Sequence, residues 1–170
     1  LGTALVADGK YTEANQVFEE MAAGIKTDPD MAKSYQFGDL DWVLAMLKTG
    51  KANQANEMVS GMLKRQELGA EKNSPRLAMI RAFDAASLQA ENKWTEADAA
   101  YKLSMPILID QARNDAENDT TSIKQQQRMT FLLESYLASL ANTAKTDPNQ
   151  AAIAAAQAFQ IADIARGSGV

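Results

Sequence analysis

The sequence predicts an all-α chain: a helical-repeat array of about eight antiparallel helices in four pairs. Three observations predict it. The stretches GKYTEA, GKANQA and NKWTEA recur at Gly9, Gly50 and Asn92, with spacings of 41 and then 42 residues. Bulky residues fall three and four apart along most of the chain, the period of an amphipathic helix. No segment of useful length alternates apolar and polar residues as a half-buried strand does.

The elements follow in order. LGTALVAD reads as a helix that stops at Gly9, because glycine tolerates the left-handed conformation just past a helix end. Thr12 is placed to cap a second helix, with Ala14, Val17, Phe18 and Met21 on one face. KTDP then sets Asp28 as a cap and Pro29 at the first helical position, where its missing N–H costs nothing. The helix so begun carries Tyr35, Phe37, Leu40, Trp42, Val43, Leu44 and Leu47, and it stops at Gly50. Asn53 opens the next, with Ala55, Met58, Val59, Met62 and Leu63 inward.

Ser74 and Pro75 repeat the cap-then-proline signal ahead of Leu77, Ile80, Phe83 and Leu88. Asn92 takes the glycine's place at the turn, and Thr95 caps the partner helix past Tyr101 and Leu103. Pro106 is expected to kink that helix or end its first part. The polar run ARNDAENDTTS connects to a long helix capped by Thr120 or Thr121, with Met129, Leu132, Leu133, Tyr136, Leu137 and Leu140 on its apolar face. A second KTDP, with Asp147 as cap and Pro148 next, starts an alanine-rich last helix that ends before Gly167. The whole reads as one domain over 1–170, in units of about 1–26, 29–67, 74–117 and 120–166.

Composition narrows the function classes. Of 170 residues 46% are hydrophobic and 23% charged, as in a folded globular chain. The net charge of −5 argues against a nucleic-acid partner, which asks for a basic face. Cysteine and histidine are both absent. That removes the thiolate nucleophile, the commonest general base and the usual soft metal ligands. No enzyme and no cofactor is expected. No run reaches the ~18 apolar residues of a membrane span. The composition fits the cytosol and an exported compartment equally. The chain opens in mid-pattern and reads as a piece of a longer protein.

Aligned on the turn, the columns are Gly9/Gly50/Asn92, Tyr11/Ala52/Trp94, Ala14/Ala55/Ala97 and Phe18/Val59/Tyr101. This pattern resembles tetratricopeptide repeats (TPR). There a small residue makes the turn between paired helices, an aromatic follows, and an alanine lets the backbones approach. The resemblance implies a solenoid stabilised by contacts between neighbouring units. The period of about 41 is longer than the family's 34. The fourth pair lacks the turn signal and reads as a cap.

The last residues, AAQAFQIADIARGSGV, together with DLDWVLAMLKTGK, resemble the repeat segment that precedes a CHAT domain in bacterial TPR-CHAT proteins. That implies a sensing or regulatory repeat region ahead of a caspase-like protease domain. The partners so implied are a protein or peptide, including a downstream CHAT domain in the same chain.

In the family the partner groove is lined by the first helix of each pair. Carried onto this sequence, the groove offers Phe37, Leu40, Leu44, Leu47 and Lys48 from one unit. The next unit offers Met79, Ala82, Phe83, Ala86 and Gln89. A groove this apolar suits an amphipathic helix. The alternative is that neighbouring helices simply cover these residues, and the chain is then a structural or oligomerising domain.

Other clusters have plainer readings. Asp39 and Asp41 do not face each other on a helix and read as solvated surface. Asp115 to Asp119 lack the spacing and the glycine of a calcium loop. Met58, Met62, Met79 and Met105 fall at core spacing.

Overall fold

The computed structural model describes residues 1–28, 30, 39–69, 73–117 and 123–167. Pro29, Tyr35, Phe37, Asp119, Thr120 and Thr121, each given a part above, lie outside them. Among the described residues there are eight helices and no strand. They are α1 (Gly2–Ala7), α2 (Tyr11–Thr27), α3 (Leu40–Lys48) and α4 (Ala52–Glu67), then α5 (Pro75–Ala90), α6 (Trp94–Glu117), α7 (Ile123–Thr146) and α8 (Ala151–Gly167).

The three repeated turns share one backbone structure. Gly9, Gly50 and Asn92 have φ of 73°, 77° and 62°, and they are the positive-φ residues among those described. At each turn a lysine N–H reaches back five residues: Lys10 to Leu5 O, Lys51 to Met46 O, Lys93 to Leu88 O, at 2.8, 2.8 and 2.9 Å. The residue before it bonds three back, to Val6, Leu47 and Gln89 respectively. This Schellman pattern satisfies carbonyls that a helix end leaves open. The same lysine's carbonyl then accepts from Ala14, Ala55 or Ala97 and so begins the next helix.

That economy corrects the expected caps. Thr12 and Thr95 are not N-caps, and Asn53 does not open its helix, because α2, α4 and α6 each start one residue earlier. Lys10 and Lys51 are the caps of α2 and α4, with no side-chain hydrogen bond. The turn uses backbone groups alone and leaves no residue free for a threonine cap. Ser74 does cap α5, its Oγ accepting from Leu77 N with Pro75 in the first turn. The second KTDP forms a turn rather than a helix start. Asp147 Oδ1 accepts from Asn149 N at 3.0 Å, and α8 begins only at Ala151. α6 is not ended by Pro106, which lies inside it.

The helices pack in pairs: α1 with α2, α3 with α4, α5 with α6, α7 with α8. Consecutive pairs join through α2 on α3, α4 on α5 and α6 on α7. The odd-numbered helices also touch in order, α1 to α3 to α5 to α7, and α7 returns to α1. Its 24 residues span about 36 Å, long enough to cross its neighbours.

The alanine column is fully buried, and Phe18, Val59 and Tyr101 are buried with it. Met105 lies in the core, and Met58, Met62 and Met79 pack half-buried against it. One residue expected on the inward face turns out instead: Met21 is exposed, and so is Leu103 of α6. Aromatic pairs tie the units together, Phe18 on Trp42 at 5.5 Å, Phe83 on Phe131 at 5.8 Å and Tyr101 on Tyr136 at 5.1 Å.

Candidate functional site

The face made by α1, α3 and α5 holds α7, and the contacts are specific. Asp41 sits in the first turn of α3, where a carboxylate is favoured by the helix dipole. It is buried, and Arg128 of α7 closes on it: Nη2 and Nε donate to Oδ1 at 2.6 and 2.9 Å. Asp39 caps the same helix, its carboxylate accepting from Asp41 N at 2.7 Å. The reading of Asp39 and Asp41 as solvated surface is therefore corrected. One caps and the other is a buried ion pair. The partner lies 87 residues away, and no local spacing announces it.

One turn on, Phe131 stacks on Phe83 of α5, and Lys48 Nζ lies 5.1 Å from the same ring. Glu134 pairs with Lys48 at 3.8 Å. Both are solvent-facing, so this pair contributes little. Gln127 Nε2 donates at 2.7 Å to Ala7 O, at the open carbonyl end of α1. Between α3 and this part of α7 a cleft of about 250 Å³ remains. Tyr11, Leu44, Lys48, Gln127, Thr130 and Phe131 are among the residues lining it.

The sequence-derived groove residues divide as follows. Leu44, Ala82, Phe83 and Ala86 are buried. Leu40, Leu47, Met79 and Gln89 are half-buried, and Lys48 is exposed. Phe37 lies outside the described residues. Leu44 and Lys48 meet at the cleft, and Phe83 meets α7 directly. Gln89 is turned to another task, its Oε1 accepting from the Tyr101 hydroxyl at 3.0 Å. Burial pushes the Tyr101 phenol well above its ordinary value, opposed by a hydrogen bond with Ser135.

The residues that sequence reasoning missed are Asp41 and its partner Arg128, Phe131 as the ring on Phe83, and Gln127 as the donor to Ala7 O. A second omission did leave a signal. Asn15 and Asn56 stand 41 residues apart, the repeat period, and each reaches from one unit to the next. Asn15 Nδ2 donates to Ala45 O and Thr49 Oγ1, and Asn56 Nδ2 to Ser87 Oγ.

Among the described residues no three His, Cys, Asp or Glu side chains stand together as a metal site. None of the described helices is long and apolar enough to cross a membrane. No protein-family model, curated protein or solved structure matches the chain.

Proposed function

We propose that the chain is a TPR-like helical-repeat solenoid that binds protein and carries out no reaction of its own. In this reading it is the sensing or regulatory repeat region of a larger bacterial protein, ahead of a CHAT protease domain. The observation that carries the binding reading is that the α1–α3–α5 face already grips one amphipathic helix, α7, by a buried charge and an aromatic stack. The three matching turns support the repeat reading.

The test is photocrosslinking in cells. A photoreactive amino acid at position 48, exposed at the cleft, is expected to trap a defined protein. Lys48→Glu is expected to lose the interaction. No adduct, from a folded chain at native abundance, ends the binding reading. The CHAT association is tested by reading the coding region past Val170. A histidine and a cysteine at the ends of predicted strands support it. Further helix pairs or a stop codon remove it.

A second reading has its own observation. On α8, Ile153 and Phe159 are 55% and 73% exposed in an alanine-rich helix. A structural, self-associating domain would use that face. Light scattering then gives a dimer that Phe159→Glu dissociates.

A further inference from the structure

We infer that the α6–α7 joint is a two-position latch. Asp98 is held back by Lys102 on its own helix, and it turns across the joint to accept from the Ser139 hydroxyl when the Lys102 ammonium is drawn off or neutralised. α7 stays seated in both positions. What changes is whether a polar contact pins its register on α6.

The repeat itself supplies the comparison. Asn15, Asn56 and Asp98 form one column, 41 and then 42 residues apart, and Glu19, Ser60 and Lys102 form a second column one helical turn later. At the first joint, α2 on α3, both columns cross to the next unit. Asn15 Nδ2 donates to Ala45 O and Thr49 Oγ1, and Glu19 accepts from Lys51 Nζ at 2.7 Å. At the second joint, α4 on α5, both cross again. Asn56 Nδ2 donates to Ser87 Oγ, and Ser60 Oγ donates to Asp84 Oδ1, each at 2.9 Å. At the third joint the two columns turn to each other instead. Lys102 Nζ lies 2.6 Å from Asp98 Oδ2, four residues away on α6.

The receiving side of the third joint keeps its seat. Phe18 stacks on Trp42 at the first joint as Tyr101 packs on Tyr136 at the third, so Trp42 and Tyr136 occupy matching places. Three residues beyond them stand Ala45 and Ser139, and Ala45 is where Asn15 lands. Ser87, where Asn56 lands, follows Asp84 by the same step. Ser139 is thus the matching seat for Asp98. It is 1% exposed, and its Oγ has no hydrogen-bond partner. A buried hydroxyl left so is unfavourable. The carboxylate is close to that part of α7, since burial and then the Asp98 charge raise the Tyr136 phenol.

The opposing terms are both small. The Lys102 side chain is 63% exposed, and ion pairs of that kind contribute little. Turning inward takes the carboxylate out of water, which offsets part of the bond gained to Ser139. The lysine's charge therefore decides between the two positions. Tyr101 meets Ser135 across the joint in either one.

The experiment is a double-mutant cycle on the full chain, read by urea unfolding. Ser139→Ala is made in wild type, in Lys102→Ala and in Asp98→Asn. Alanine already stands at the matching position 45, so Ser139→Ala is expected to keep the fold. In wild type it should leave the folding constant unchanged or raise it, because the hydroxyl has no bond to lose. In Lys102→Ala it should lower the constant roughly fivefold. Asp98→Asn restores the amide of the first two joints. There Ser139→Ala should cost the same roughly fivefold with or without Lys102.

No coupling between Ser139→Ala and Lys102→Ala overturns the inference, even where Asp98→Asn shows it, since Ser139 then serves an amide and not this carboxylate. A fivefold loss already present in wild type overturns it too. If Asp98→Asn does not fold, wild type against Lys102→Ala decides alone. None of these readouts involves a partner, so their failure leaves the binding reading where it stood.

Discussion

Arg128 reaches the buried carboxylate of Asp41 with two N–H groups on one oxygen, at 2.6 and 2.9 Å. The pair is asymmetric: the arginine side chain is 24% exposed and the aspartate side chain 5%. Removing the arginine strands a charge that water cannot reach. Removing the aspartate leaves an arginine that can turn outward. Arg128→Ala is therefore expected to cost about 3 kcal/mol or more, and Asp41→Ala distinctly less. Urea unfolding of both variants and of the double variant checks the order. The double variant should sit near Asp41→Ala, since neither charge remains.

The left-handed turns give a cleaner backbone prediction. A Cβ at Gly9 or Gly50 would meet nothing within 4 Å, so Gly50→Ala carries conformational strain alone. The expected loss is about 1 kcal/mol. Asn92→Gly, at φ 62°, should be neutral or slightly stabilising, and Asn92→Ala should resemble Gly50→Ala. Thermal melts of the three variants decide it.

The turn chemistry was legible in the sequence because it is local. Gly-Lys and Asn-Lys at fixed spacing specify a backbone conformation whatever lies around them. The caps were misread for a related reason. Thr12 and Thr95 look like cap residues by type, but the preceding lysine carbonyls had already taken that role.

Asp84 offers a pH test. Burial raises its carboxyl above the ordinary value, opposed by the Ser60 hydroxyl and reinforced by Glu67 and Glu91. A raised carboxyl favours the fold below the unfolded value of about 3.9 and loses that contribution as pH rises through the folded one. At neutral pH the charged Asp84 is thus a burden. Asp84→Asn keeps an oxygen for Ser60 and is expected to raise the urea midpoint at pH 7. The gain should vanish by about pH 3.

The tyrosines act at the other end. Burial raises the phenols of Tyr101 and Tyr136, with Ser135 opposing at the first and Asp98 adding at the second. Their contribution to stability is complete below pH ~10 and is lost as pH rises through the folded values. Ultraviolet titration should show these two phenolates forming only as the helices melt. Tyr101→Phe should move that melting to higher pH. At neutral pH it should cost about 1 kcal/mol for the lost bond to Gln89.

The sequence ran one helix from Pro29 to Leu47, whereas α3 begins at Leu40 with Asp39 as its cap. By itself it determined the all-helical class, the pairing at the three turns and the buried columns at Ala14, Ala55 and Ala97. Those follow from short-range preferences: residue spacing, turn backbone and apolar periodicity. Only the tertiary structure decided what lies on the odd-numbered helices. Met129, Leu132 and Leu133 marked α7 as amphipathic, but nothing in them said that it returns to α1. Nor did Asp41 look different from Asp39, two residues before it. An ion pair across 87 residues depends on where two helices happen to be placed, and charge alone carries no record of that distance.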